Sequence, residues 1–407
     1  MSLYHAFSPE DAIAYAKSIT GFFAANALLA CEEIGDGNLN LVFRISDPQQ
    51  NRSLIIKQAL PYAKVVGESW PLSLDRARIE REALEIQHQL CPELVPAIYG
   101  GDNELAITVM EDLSDYTILR QGLIDGNTYD NFAEHIGLFI ATTLFYTSDL
   151  GMNQQDKKLR SARFANPDLC KITEDLIFED PYRNADNNNF TEDIRSEAEK
   201  LWQDHALHLE VALLREKFLT HGEALLHGDL HTGSIFVTSD STKVIDPEFA
   251  YYGPIGFDIG AVIANLLLNY AAQPGWCDNH DILQERRAWL LSTINGVWNH
   301  FEQNFRKLWD ANGIDFMSKT PGYQDLYMRK ILQDTIGFAG CKVIRRIVGL
   351  SHVADIDTIE SELHRRQAKI TALEIGKRLV KQGRMAASIA EVIEWAEAAA
   401  AKEGANV

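Results

Sequence analysis

No two cysteines in this chain lie close enough in sequence to form a CxxC clamp. The five that occur, Cys31, Cys91, Cys170, Cys277 and Cys341, are odd in number and dispersed. That set excludes a zinc-ribbon spacing and gives no disulfide framework. It reads instead as small buried hydrophobes in a reducing compartment. Also missing is any uncharged apolar run near the ~20 residues of a membrane span. The opening residues, MSLYHAFSPEDA, lack a basic n-region, so no signal peptide is expected. Positive charge is scarce: 38 Lys and Arg stand against 58 Asp and Glu, a net charge of −20. A nucleic-acid or anionic-membrane partner would require a basic surface, so neither is expected. No internal repeat is visible. What the chain does have is apolar substance, 46% of 407 residues, enough for a sizeable core in two or three domains. The class expected on these grounds is a soluble cytoplasmic protein.

The most informative stretch is Leu225 to Gly260, LLHGDLHTGSIFVTSDSTKVIDPEFAYYGPIGFDIG. Asp229 and Asp246 each follow a short apolar run and sit in loops. Ile235-Phe236-Val237, the polar turn Thr238 to Thr242 and Val244-Ile245 predict a short hairpin that brings the two carboxylates together. Carboxylates so placed repel unless positive charge lies beside them. Mg²⁺ carrying nucleotide phosphates would supply it, since that ion takes a few carboxylate oxygens plus phosphate and water. The pattern resembles the catalytic and metal loops of kinases, which implies that Asp229 accepts the proton of an attacking hydroxyl and Asp246 holds the metal. Two solvated turn aspartates would be the plainer reading of either loop alone. Two features depart from the protein-kinase pattern. Ser234 stands where an asparagine ligand is expected, and the metal loop is Asp-Pro-Glu, so Glu248 is the carboxylate that replaces the missing ligand.

Upstream, Ser8 caps a helix that begins at Pro9 and runs to about Thr20. Gly35-Asp36-Gly37-Asn38-Leu39-Asn40 precedes an alternating strand and resembles a glycine-rich phosphate loop, with Asn40 at the third glycine's place. Alone it is also an ordinary hairpin turn. Leu54-Ile55-Ile56-Lys57 is a strand ending in a lysine suited to the α/β-phosphates. Asp75 to Leu90 is an amphipathic helix offering Glu80 as its partner, whereas Glu82 lies ~200° around the helix. Pro61 to Leu72, bounded by Pro and Gly and bearing Trp70, reads as a mobile loop. Leu105 to Met110 is a strand. Met110, Glu111 and Leu113 follow the order of a hinge that meets adenine through its backbone. Beyond it the chain is mainly helical. Asp258 lies in a buried helix and reads as structural, and Tyr327 to Leu350 is a helix with Arg345-Arg346 near its end and Gly349 as its stop.

Together, His-Gly-Asp-Leu-His-Thr-Gly-Ser-Ile and Asp-Pro-Glu-Phe-Ala-Tyr-Tyr-Gly-Pro resemble the methylthioribose kinases, small-molecule members of the kinase-like fold of the aminoglycoside and choline kinase type. The resemblance implies an α+β, protein-kinase-like two-lobe fold. Residues 1–115 would form a small antiparallel β-rich nucleotide lobe and residues 116–407 a helical catalytic and substrate lobe, with nucleotide between them. It implies ATP and Mg²⁺ as cofactors. Gly35, Gly37, Asn38, Asn40, Lys57, Glu80, Met110, Glu111, Leu113 and Trp70 would serve the nucleotide, and Asp246, Glu248 and Ser234 the metal. Asp229, Arg345 and Arg346 would serve the substrate. The substrate implied is 5-methylthioribose, phosphorylated at its 1-hydroxyl in methionine salvage by a cytoplasmic homodimer. The arginine pair also has a plainer reading, as cations at a helix C-terminus.

The order Gly35/Gly37, Lys57, Glu80, Asp229, Asp246-x-Glu248 is what phosphoryl transfer requires. The absence of an Ala-Pro-Glu and of an activation-loop stretch turns the reading from protein substrates to a small hydroxyl compound. Two other readings stay open: another small-alcohol kinase, of the aminoglycoside, choline or homoserine type, and an inactive kinase-like binding module, suggested by Ser234 alone.

Overall fold

The computed structural model describes residues 4–35, 40–63 and 67–402. The chain forms two compact units. One comprises Met1–Tyr116 with Lys243–Ala250, the other Thr117–Thr242 with Tyr251–Val407. The Asp-Pro-Glu segment thus belongs to the first unit, although 116–407 was expected to be one body. Among the described residues no helix is long and apolar enough to cross a membrane.

The first unit opens with α1 (Pro9–Ser18), fixed by a reciprocal cap. The Asp11 N–H donates to Ser8 Oγ (3.2 Å) and the Ser8 N–H donates to Asp11 Oδ2 (2.9 Å). Then come β1 (Ala30–Glu33), β2 (Asn40–Asp47), β3 (Arg52–Ala59), β4 (Tyr62–Ala63), β5 (Gly67–Pro71), α2 (Asp75–Leu90), β6 (Ile98–Asp102) and β7 (Ile107–Glu111). Five of these strands form an antiparallel sheet in the order β1-β2-β3-β7-β6. Phe43, Ile45, Leu54, Ile56 and Val109 pack with Ala12 and Ala16 of α1 to make this unit's core. Side chains alternate across a strand, so Lys57 lies on the face opposite Ile56. Where a mobile loop was expected, the described residues form the β4–β5 hairpin. Tyr62 pairs with Pro71, and the Leu72 N–H donates to Pro61 O (3.0 Å).

The second unit holds β8 (Thr117–Ile118), α3 (Leu119–Ile124), α4 (Phe132–Thr147), α5 (Gln154–Arg163), α6 (Pro167–Phe178), α7 (Arg195–Gln203), α8 (His205–Thr220), β9 (Ala224–Leu225) and β10 (Ile235–Val237). After β11 (Thr242–Val244), where the chain passes to the first unit, follow β12 (Tyr252–Gly253), α9 (Gly256–Trp276), α10 (His280–Asn312), α11 (Tyr323–Val348), α12 (Ala354–Asp357), α13 (Glu362–Gly383) and α14 (Ala390–Ala401). Helix α9 is buried from Gly256 to Gln273 and packs against α10, α11 and α13. A helix apolar all round belongs at the centre of a bundle. Helix α11 starts four residues before the expected Tyr327.

The approach of α9 to α11 requires a missing side chain. A Cβ at Gly260 would stand 2.8 Å from Thr335 O and 2.9 Å from Ala339 N, both backbone atoms. This contact fixes where α11 presents Lys342 and Arg345. Gly260→Ala is therefore expected to destabilise the protein by about 1–3 kcal/mol through overpacking. A urea midpoint unchanged from that of the wild type would show that the helices part without cost.

Candidate functional site

In the first unit, α2 buries a stripe that carries charge. Arg76, Ile79, Glu80, Ala83, Leu84 and Gln87 recur at helical spacing. Glu80 Oε1 accepts a hydrogen bond from Lys57 Nζ at 2.7 Å, and the same ammonium pairs with Asp246 Oδ1. One turn earlier on α2, Arg76 donates to Leu60 O (2.6 Å), Asn40 Oδ1 (3.1 Å) and Glu248 Oε2 (3.3 Å). Asn40 Nδ2 also donates to Glu248 Oε2, at 3.1 Å. Asp246 has φ = 70°, a left-handed conformation that costs a non-glycine residue energy and is commonest at functional positions.

Oxygens of Glu80, Asp246 and Glu248 lie within 4.8 Å of one another. Burial, with Asp246 and Glu248 adding to it, raises the Glu80 carboxyl to about 7 against the pull of Lys57. Glu248 is raised by burial and by Asp246, with Lys57 and Arg76 opposing. For Lys57, burial disfavours the charge, but Asp246, Glu80 and Glu248 overcome it and raise the ammonium above its ordinary value. Hard carboxylate oxygens in this number suit Mg²⁺.

In the second unit, Asp229 follows the tight turn at Gly228, whose φ is 86°. Buried Asp258, near the start of α9, accepts the N–H groups of His227 (2.6 Å) and Gly228 (3.0 Å), so the loop is pinned through its backbone. Around Asp229, Arg345 Nη2 lies 3.5 Å and Lys342 Nζ 3.7 Å from Oδ1, and His231 Nε2 lies 3.5 Å from Oδ2. Because His231 Nδ1 accepts the Gly233 N–H at 3.1 Å, the ring proton falls on Nε2, facing Asp229. Burial, helped by Arg120 and the two arginines of α11, holds His231 well below its usual value, so it is neutral. Burial works to protonate Asp229, yet His231, Lys342, Arg345 and Arg346 together hold its carboxyl far below the ordinary range. Its neutral neighbour His231 contributes an N–H dipole, and the charges come from the helix.

Arg346 takes a different course from Arg345. It donates to Ser351 Oγ (3.0 Å) and to Ser351 O (3.3 Å), closing the end of α11, while Gly349 donates to Arg345 O (3.0 Å). Ser234 places its hydroxyl within its own loop, 3.2 Å from His231 Nδ1 and 3.5 Å from Asp229 O. Met110 lies in the ladder between β3 and β6, the Glu111 N–H donates to Ala97 O (2.9 Å), and Leu113 O accepts from Tyr116. Gly35 is exposed with open space around it. Trp70 lies in β5. Gly37 and Asn38 fall outside the described residues.

Arg76, His231 and Lys342 were not singled out from the sequence. A faint signal existed for two of them: Arg76 precedes Glu80 by one helical turn and Lys342 precedes Arg345 by three positions, so each shares a face with a residue that was.

A small antiparallel sheet with a paired lysine, glutamate and aspartate, and a larger helical unit with a braced His-Gly-Asp loop, define a phosphotransferase. Residues 30–289 match the model of the phosphotransferase enzyme family. A choline kinase structure from Cryptosporidium parvum Iowa II aligns over 96% of this chain and 100% of its own, with a TM-score of 0.50 and 14% identity. That likeness concerns the fold. Much nearer in sequence is methylthioribose kinase of Geobacillus sp. strain WCH70, 51% identical over 96% of this chain and 95% of its own. That of Geobacillus thermodenitrificans is 53% identical over 93% of each. The chain belongs to the methylthioribose kinases, within the phosphotransferase enzyme family, and is a kinase.

Removing Arg76 takes a buried guanidinium away from the buried Glu248 carboxylate. Arg76→Met is expected to cost about 3–5 kcal/mol at neutral pH, the usual penalty for breaking a buried ion pair from one side. Arg76→Met with Glu248→Gln should recover part of that loss. A urea-unfolding double-mutant cycle with additive effects would show that the two side chains do not support each other.

Proposed function

We propose that this kinase transfers the γ-phosphoryl group of ATP to the 1-hydroxyl of 5-methylthioribose, giving the 1-phosphate for methionine salvage. The observation that carries the reading is the likeness to methylthioribose kinases, at 51–53% identity over at least 93% of the chain. Asp229 accepts the proton of the attacking hydroxyl. It is suited to this because it is ionised and its loop is pinned by Asp258. An anomeric hydroxyl is more acidic than a simple alcohol, so a carboxylate is an adequate base. Lys57, oriented by Glu80, binds the α/β-phosphates. Gly35, Gly37, Asn38 and Asn40 bring backbone close to them, and Met110, Glu111 and Leu113 meet the adenine. Trp70 belongs to the nucleotide-binding set as well. Asp246 and Glu248, with Ser234, would hold Mg²⁺, which neutralises phosphate charge when bound; the cluster of carboxylate oxygens around Glu248 supports this. Arg345, 3.5 Å from Asp229, grips the sugar or the transferred phosphoryl, and Arg346 sets the helix end on which Arg345 depends. A cytoplasmic homodimer completes the reading and rests on the same likeness.

ATP consumption measured against methylthioribose, ribose, choline, homoserine and an aminoglycoside tests the substrate. Methylthioribose should be strongly preferred, and a preference for choline or an aminoglycoside would overturn the assignment. Within the mechanism, Asp229→Asn is expected to lower turnover by ~10²–10⁴ with nucleotide affinity little changed. Near wild-type turnover would remove Asp229 from the role of base. Glu248→Gln should weaken the Mg²⁺ dependence of turnover far more than Ser234→Ala does, and the opposite ranking would show that the metal ligands are misassigned.

A further inference from the structure

Lys342 is almost fully buried, at 3% exposed, yet its ammonium makes no hydrogen bond among the described residues. It stands 3.9 Å over the face of the Phe257 ring and 3.7 Å from Asp229 Oδ1. A buried ammonium is rarely left with its donors unused, because its desolvation is then uncompensated. Its position is also imposed. Helix α11 is held against α9 at Gly260, which sets the Lys342 backbone one turn beyond that contact. Across a separation of 3.7 Å, an oxygen about 2.8 Å from both Nζ and Oδ1 closes a triangle with ordinary hydrogen-bond sides. That apex is where a hydroxyl surrendering its proton to Asp229 would stand.

We infer that Lys342 is a catalytic residue of this kinase, donating a hydrogen bond to the acceptor oxygen while Asp229 takes that oxygen's proton. The inference rests on the reading of Asp229 as the base. In the step, the hydroxyl proton passes to Asp229 Oδ1 and the oxygen forms its bond to the γ-phosphorus. The bond from that phosphorus to the β,γ-bridging oxygen breaks, and its electron pair leaves with ADP. Lys342 keeps its proton throughout and stabilises negative charge growing on the attacking oxygen, as a preorganised donor does in an oxyanion site. Arg345 approaches the same Asp229 oxygen, but the two cations differ in one testable respect. Arginine stays charged at every working pH, whereas lysine can titrate.

The groups acting on Lys342 are Asp229 from the His-Gly-Asp loop, Asp258 from α9, and Arg345, Arg346 and Cys341 from its own helix. Burial is the main influence and holds the ammonium down to about 8. Asp229 and Asp258 oppose it, and Arg345 and Arg346 add to it. The protonated form is the active one, so turnover should fall as pH rises through about 8.

The test compares wild type, Lys342→Met and Lys342→Arg as full-length enzymes between about pH 6 and 9.5. Folding is checked by circular dichroism and KM is measured for both substrates. Lys342→Met should lose about 10²-fold or more in kcat, with KM for ATP changed less than about twofold, and its profile should lack the alkaline limb. Lys342→Arg should retain more activity and keep it above pH 8. A Lys342→Met enzyme within threefold of wild type, or one that keeps the alkaline limb, overturns the inference. Should Lys342→Met fail to fold, Lys342→Arg decides alone: a limb still near pH 8 overturns the inference, and a limb lost or moved upward supports it. Asp229→Asn separates the two claims. If it stays active, the base assignment fails. If it is inactive while Lys342→Met is not, only the role of Lys342 fails.

Discussion

A charge buried in protein must be matched by charge brought from elsewhere in the chain, and this requirement shapes both units. Burial pushes Lys57 towards its neutral form and Asp246 and Glu80 reverse that push, the one from a loop 189 residues away and the other from a helix 23 residues away. Glu248 is matched in the same manner by Arg76 and Asn40. Removing either partner of such a pair costs more than the pair itself contributes, since the survivor is stranded out of water. The segment Lys243–Ala250 is tied to the first unit by these charges although its sequence neighbours belong to the second.

Asp229 shows the same constraint with the sign reversed. Burial pushes it towards the protonated form, in which it could not take a proton. Lysine and arginine on α11 keep it ionised, and α11 can supply them because glycine lets it lie close against α9. Helix packing and proton affinity are therefore linked: a shift of α11 by the width of one methyl group alters both the geometry and the charge around the loop.

The parts of this arrangement that are local in sequence could be read from it. Ser8-Pro9 announces α1, the spacing from Asp75 to Leu90 gives α2 its limits, and Lys57 and Glu80 pair in the order their motif suggested. The parts that depend on distant partners could not. Arg76 looks like any basic residue of an amphipathic helix, and only the arrival of Glu248, 172 residues on, explains its burial. The β4–β5 pairing was hidden because Pro61 to Leu72 is rich in loop-forming residues, so length and Pro/Gly content pointed to irregular chain. Lys342 sits in an apolar helical run where a single lysine resembles an interruption, and its meaning lies in Phe257 and Asp229, which it approaches only after folding. Adjacent Arg345 and Arg346 suggested a joint role, but consecutive helix residues point ~100° apart, and the two indeed take different partners.

The balance of charge differs between the two clusters in a way that agrees with their assigned tasks. In the first unit, Glu80, Asp246 and Glu248 outnumber Lys57 and Arg76, leaving an excess of carboxylate. In the second, Lys342, Arg345, Arg346 and Arg120 outnumber Asp229, Asp258 and Asp355, leaving an excess of cation. An excess of buried charge is tolerated where a ligand of opposite sign completes it. A carboxylate excess built from hard oxygens suits a small divalent cation, and a guanidinium and ammonium excess suits an oxyanion. Phosphoryl transfer is the reaction that presents both, a metal on the nucleotide and negative charge on the group in transit. A binding module that had lost catalysis would gain nothing from this buried cluster, since apolar residues in place of Asp229, Lys342 and Arg345 together would fill the same space at no electrostatic cost. The retention of that unfavourable charge is the strongest structural argument that the chain is built for turnover.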